Sequence, residues 1–261
     1  MTDPVRYEVA DAVATLTLDA PDTLNALSIA MKLALREAVE RAADDEAVRA
    51  VVLTGAGRGF CVGQDLREHA EALEAGDTAL STVRDHYNPI VTALADLPKP
   101  VVAAVNGTAA GAGASLAFVC DFRVAADNAS FLMAFARVGL GPDTGASWTL
   151  QRLVGYGRAL AMLMLAEPVS AAQALEMGLV NAVVPGGDLP STAHELAARL
   201  AAGPTQAYAG IKQALRAAAT SDLASALETE ADVQARCGAT EDHRNAVAAF
   251  LAKQAPTFTG H

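Results

Sequence analysis

A chain of 261 residues, 52% of them apolar, can bury a sizeable core without disulfide or metal staples, as one large domain or a core with an appendage. Its net charge of −11, from 19 basic and 30 acidic side chains, argues against a broad nucleic-acid-binding face. Cys61, Cys120 and Cys237 are odd in number and form no CxxC pair, which disfavours a disulfide framework and a zinc site and points to a reducing compartment.

The opening residues, Met1-Thr2-Asp3-Pro4-Val5-Arg6-Tyr7, show no basic start followed by an apolar stretch, so no signal peptide is expected. The longest apolar run, near Ala159–Ala166, is too short to span a bilayer. A cytoplasmic protein with no membrane partner is the expectation. Tyr7–Ala10 and Val13–Leu18 alternate around Asp11-Ala12 as a hairpin would. Ser28 is placed to cap a helix from about Ile29 to Ala43, and a strand follows over Val48–Thr54. Residues 67–90 are polar and acidic without a steady period, and read as a helical or mobile insertion over a site, a lid. The acidic part, Glu68 to Asp77, is most simply a solvated helix face. Strand-like pieces recur at Val101–Val105, Phe122–Ala126 and Leu179–Val184. From Ser170 the pattern is helical: Ala171–Met177, Ser191–Ala201, Pro204–Ala219 with Pro204 in the first turn, Asp222–Arg236 and Glu241–Leu251. Pattern alone says only mixed α/β.

Two segments carry the chemistry. Gly59-Phe60-Cys61-Val62-Gly63-Gln64-Asp65-Leu66 and Gly107-Thr108-Ala109-Ala110-Gly111-Ala112-Gly113-Ala114-Ser115-Leu116 each follow a β-branched run and are rich in glycine and alanine. Backbone of that kind approaches a ligand closely, and two such loops aiming one N–H each at a point make an oxyanion hole. The plain alternative is a pair of tight strand–helix turns. Asp143, in Leu140-Gly141-Pro142-Asp143-Thr144-Gly145-Ala146, reads either as a helix N-cap or as an acid/base walled by Phe131, Met133, Phe135 and Leu140, which would raise its pKa. Gly113-Ala114-Ser115-Leu116-Ala117 fails as a nucleophile elbow at Ala117. Gly55-Ala56-Gly57-Arg58-Gly59 is not G-x-G-x-x-G. His69, His86, His194, His243 and His261 show no metal-ligand spacing, and no metal is expected.

With Leu18-Asp19-Ala20-Pro21-Asp22-Thr23-Leu24-Asn25-Ala26-Leu27, Phe60 to Leu66, Ala104 to Leu116 and Phe250-Leu251-Ala252-Lys253 in order, the chain resembles the enoyl-CoA hydratase/isomerase (crotonase) superfamily over nearly its whole length. The resemblance implies a spiral of ββα turns over residues 1–200 and a C-terminal helical trimerisation region over 201–261. It implies an acyl-CoA thioester as substrate, with coenzyme A entering as part of that substrate and no other cofactor, and a homotrimer or dimer of trimers. The oxyanion amides would be those of Gln64 and Ala112. Leu24, Val62, Gln64, Asp65 and Leu66 would border the adenine end of coenzyme A, and Lys253 would reach a phosphate, in a neighbouring subunit on one reading. Tyr87, Ser115, Phe135 and Leu140 would line the acyl pocket, although Tyr87 also suits a plain core position. Hydratases of the superfamily use two glutamates, and those positions fall on Ser115 and Phe135, neither of which is a base. The strings from Gly55 to Leu66, His86-Tyr87-Asn88-Pro89, Met133-Ala134-Phe135, Gly139 to Asp143 and Phe258-Thr259-Gly260 are similar to a subgroup, the epoxyphenylacetyl-CoA isomerases, in which one Asp at the Asp143 position moves the proton. Val62 and Gly145-Ala146-Ser147-Trp148 depart from that subgroup and leave the acyl group open. A hydratase and a non-catalytic CoA-binding member stand as the alternatives.

Overall fold

The computed structural model describes residues 3–74, 76 and 81–261. Two antiparallel strands, β1 (Val5–Ala10) and β2 (Val13–Leu18), open the chain. Their two-residue turn puts Asp11 and Ala12 at φ 52° and 58°, the left-handed pair that matches strand twist in a tight hairpin. Helix α1 (Ile29–Asp44) begins where Ser28 accepts the Met31 amide, the cap expected. From there the chain repeats one move. Strand β3 (Ala50–Gly55) is followed by short β4 (Gly59–Cys61), β5 (Val101–Val105) by β6 (Thr108–Ala110), and β7 (Phe122–Ala126) by β8 (Ser130–Leu132). The first members pair in parallel in a six-stranded sheet ordered β1-β2-β3-β5-β7-β10, closed by β10 (Ala182–Val184). The second members form a four-stranded sheet, β4-β6-β8-β9, ending on β9 (Val169–Ser170). Each turn of this spiral lays one strand in each sheet, and Val, Leu and Ala fill the space between them.

Helix α2 (Leu66–Glu74), a π-helical turn over Val83–Tyr87 and α3 (Asn88–Asp96) make up the insertion between β4 and β5. Positions 75 and 77–80 of the anticipated lid, with Asp77, lie outside the described residues. Helix α4 (Ala112–Val119) follows β6; α5 (Ala146–Val154), α6 (Tyr156–Leu165) and α7 (Ala171–Glu176) follow β8. The chain then runs through α8 (Leu189–Ala201), α9 (Thr205–Ala218), α10 (Leu223–Gly238) and α11 (Glu241–Leu251). Pro204 is the N-cap of α9 rather than a residue of its first turn, and β10 is only the last half of the strand expected over Leu179–Val184. Arg49 ties the helical region to the sheets by donating to Thr205 Oγ1 at 3.0 Å and the Phe258 carbonyl at 3.0 Å. Buried Asp242 accepts the Thr259 and Gly260 amides at 2.7 and 2.9 Å and folds the last residues back. Among the described residues no helix is long and apolar enough to cross a membrane.

Candidate active site

Because β4, β6 and β8 are parallel neighbours, their C-terminal ends deliver three segments to one edge. These are Val62-Gly63-Gln64, Gly111-Ala112 and the stretch from Met133 to Asp143. Gly63 shows how closely the first two meet. Its φ is +87°, and a Cβ there would stand 2.9 Å from the Ala110 carbonyl oxygen and 3.3 Å from the Ala112 nitrogen, so only glycine fits. A Cβ on Gly113 would stand 2.1 Å from the Cys61 carbonyl oxygen, which seats the start of α4 directly against β4. From the other side, Leu27 donates to the Gly63 carbonyl at 2.7 Å and forms a bridge with Gln64. Among the described residues neither the Gln64 nor the Ala112 amide has a protein acceptor, and α4 has no side-chain cap. Ala112 is the first residue of that helix, where the positive end of the dipole adds to the pull on an anion.

These segments open on a cavity of about 770 Å³ whose walls include Val62, Gln64, Asp65, Leu66, Tyr87, Ala112, Phe135, Leu140 and Asp143. Four expectations need correction. Ser115 is fully buried off the cavity, its hydroxyl donating to the Gly111 carbonyl at 3.0 Å. Leu24 packs beneath Gly59, while Asp22, Thr23 and Ala26 take its place on the wall. Phe131 and Met133 belong to the core, Phe131 against Phe118 at 5.9 Å between ring centroids. Asp143 is not the N-cap of α5: Gly145 is, and no side chain caps that helix. Lys253 is exposed at the end of α11 and does not line this chain's own cavity.

Asp143 is half-buried, and burial pushes its carboxyl above the ordinary range. The Thr144 hydroxyl, donating at 2.7 Å, and the charge of Lys32 pull the other way. Thr144 is itself buried with φ +53°, a costly conformation for a β-branched residue. The two other carboxylates on the wall are differently placed. Asp65 accepts the Arg67 and Glu68 amides at 2.9 and 3.3 Å and so caps α2, and Asp22 is exposed on the short turn Pro21–Thr23. Glu68 is not merely solvated, since it accepts the Ile29 amide at 2.8 Å. Burial pushes the thiols of Cys61 and Cys120 up to about 12, which leaves no thiolate nucleophile near the loops. Among the described residues no group of three or more His, Cys, Asp or Glu side chains could hold a metal ion.

Lys32, Thr82 and Thr144 are residues of this site that sequence reasoning missed. For Lys32 a signal existed: Lys32, Leu35, Val39 and Ala42 share the inward stripe of α1, so a lysine stood where the period asks for an apolar side chain. The Gln64 side chain is also engaged. Its Oε1 accepts from Lys32 Nζ at 3.2 Å and the Tyr87 hydroxyl at 2.5 Å, and its Nε2 donates to the Asp65 carbonyl at 3.3 Å.

Residues 8–261 match the sequence family described as enoyl-CoA hydratase/isomerase. The chain is 44% identical over 262 residues to the 1,2-epoxyphenylacetyl-CoA isomerase of Escherichia coli, covering 100% of both proteins. It is 45% identical over 257 residues to a probable enoyl-CoA hydratase of Rhodobacter capsulatus, covering 98% of each. Its fold superposes on the crystal structure of an enoyl-CoA hydratase from Polaromonas with a TM-score of 0.90 at 36% identity, over 97% of this chain and 99% of that one.

Proposed function

This chain belongs to the enoyl-CoA hydratase/isomerase family, and we propose that within it the protein is an acyl-CoA isomerase working through a thioester enolate and one carboxylate, Asp143. The observation that carries the reading is the pairing of the Gln64 and Ala112 amides, without acceptors among the described residues, with Asp143, a half-buried carboxylate that caps no helix, on one apolar cavity. A thioester oxygen held by the two amides takes up negative charge when the α-carbon loses a proton, and donors fixed in advance stabilise that charge without reorganising. For a 3-enoyl thioester, the Asp143 carboxylate removes a proton from C2, the electrons flow to the thioester oxygen, and Asp143 returns the proton at C4 as the double bond reaches C2. The sum is a bond shift with nothing gained or lost. Ser115 and Phe135 supply no second carboxylate to activate a water. The wall of Leu66, Leu73, Val83, Phe135, Val138 and Leu140 suits an apolar or aromatic acyl group, and a ring epoxide of phenylacetyl-CoA fits the same enolate chemistry, as the name of the E. coli relative suggests. Val62, Asp65 and Leu66, which lie on the wall, are assigned to the coenzyme A side of the mouth.

Hydration is the second reading, favoured by the name of the Rhodobacter relative at nearly the same identity. Two assays separate them. We expect turnover of a 3-enoyl-CoA and little loss of the conjugated thioester absorbance of crotonyl-CoA in water, and brisk hydration would overturn the isomerase reading. Asp143→Asn should lower isomerase turnover by about 10²–10⁴-fold, and near-parental turnover would remove Asp143 from the chemistry.

A further inference from the structure

Beneath the cavity lies a buried cation that the proposed chemistry does not use. Lys32, on α1, is 1% exposed. A buried ammonium is costly unless its partners compensate, and among the described residues Lys32 forms no ion pair. Its partners are neutral, and all of them stand on the cavity wall. Nζ donates to Thr82 Oγ1 at 2.7 Å and to Gln64 Oε1 at 3.2 Å, and lies 5.0 Å from the centre of the Tyr87 ring. An ammonium can only donate. The Thr82 hydroxyl accepts from Lys32, and its oxygen also lies within hydrogen-bond distance of His86 Nδ1, at 3.1 Å. Asp65 and Glu68 from the α2 segment and Asp143 from the loop before α5 face Lys32 at longer range, and Tyr87 and His86 face it from the π-helical turn. A cation clasped by neutral dipoles is a poor stability device, because an apolar side chain of the same volume would serve the packing as well.

The geometry points to Lys32 as a positioning residue of this site: it clasps the Gln64 side chain from below, steadies the turn that aims the Gln64 amide, and presents positive charge to the carboxylate of Asp143. The inference rests on the reading that Asp143 and the two amides do the chemistry. Burial lowers the affinity of Lys32 for its proton, the three carboxylates raise it, and the charge of Lys32 in turn opposes the effect of burial on Asp143.

The test uses the full chain and a 3-enoyl-CoA, with kcat and kcat/KM followed against pH for the parent, Lys32→Met, Lys32→Gln and Asp143→Asn. Lys32→Met should lower kcat by roughly ten- to a hundredfold, the cost of a small misplacement of catalytic groups, and should move the acidic limb of kcat/KM to higher pH. Lys32→Gln keeps a donor for Gln64 but no charge, so it should move the limb equally and lose less kcat. If Asp143→Asn is inactive while both Lys32 variants keep the parental kcat and limb, the inference fails and the active-site reading stands. Near-parental turnover by Asp143→Asn sinks the active-site reading itself. Failure of both Lys32 variants to fold would make Lys32 a structural residue and also overturn the inference.

Discussion

At Asp143 the requirements of stability and of the proposed chemistry oppose each other, and the opposition can be measured. Burial favours its neutral form, so its folded pKa stands above the unfolded value despite the Thr144 hydroxyl and Lys32. The contribution of such a group to stability is fully present below the unfolded carboxylate pKa and is lost as pH rises through the raised folded one. Asparagine cannot ionise, yet it can still accept the Thr144 hydroxyl. Asp143→Asn should therefore melt with the parent in acid and above it at neutral pH, the gap opening as pH climbs through the carboxylate range. A lower melting temperature for Asp143→Asn across that range would show that the carboxylate is held by favourable contacts instead. Thr144, left-handed and buried beside it, holds that carboxylate through its hydroxyl, so the backbone strain sits next to the proposed acid/base.

The elements that position the site are short, and the logic of their arrangement lies in neighbour order. Parallel pairing of β4 with β6, and of β6 with β8, sets three loops side by side although some 70 residues separate the first from the last. The first sheet and α1 were legible as strands and helix in the sequence, because β-branched runs, a Ser cap and a 3.6-residue period are local signals. The three-residue strands of the second sheet were not, since no period shows in so few residues, and the resemblance alone indicated them. Ser115 was misplaced because its place in the motif does not reveal which way a buried hydroxyl turns. Ala112 offers a test of the arrangement. Proline is welcome at the first position of a helix, where the N–H has no partner within the helix, so Ala112→Pro should fold while losing the donor. Turnover should fall by about 10²–10³-fold, checked beside a far-UV spectrum. A folded Ala112→Pro with parental kcat would show that this amide faces no developing charge.

For the whole molecule the open question is what covers the apolar side chains at the end of the chain. Leu223 at 76%, Leu251 at 77% and Phe250 at 80% exposure stand on the C-terminal helices with Leu215, and Tyr156, Met164 and Leu165 are exposed on α6. Large apolar side chains left exposed in this number suit a surface that another protein buries. The proposed occupant is a second copy of this chain, in a trimer or a dimer of trimers, and Lys253 supports it. That residue does not line its own cavity, and it follows Leu251 by two residues. Light scattering at micromolar concentration should give three or six times the chain mass of 26.7 kDa. Phe250→Asp with Leu251→Asp places charge where burial is expected, at a cost that neither side chain can offset without a partner. This double variant should dissociate toward monomer while α11 stays folded. If Lys253 serves the neighbour's coenzyme A, Lys253→Ala should raise KM for an acyl-CoA and leave kcat near the parental value, because a contact far from the reacting carbon binds ground and transition states alike. A parent that runs as a stable monomer with full turnover would refute both the assembly and the borrowed lysine.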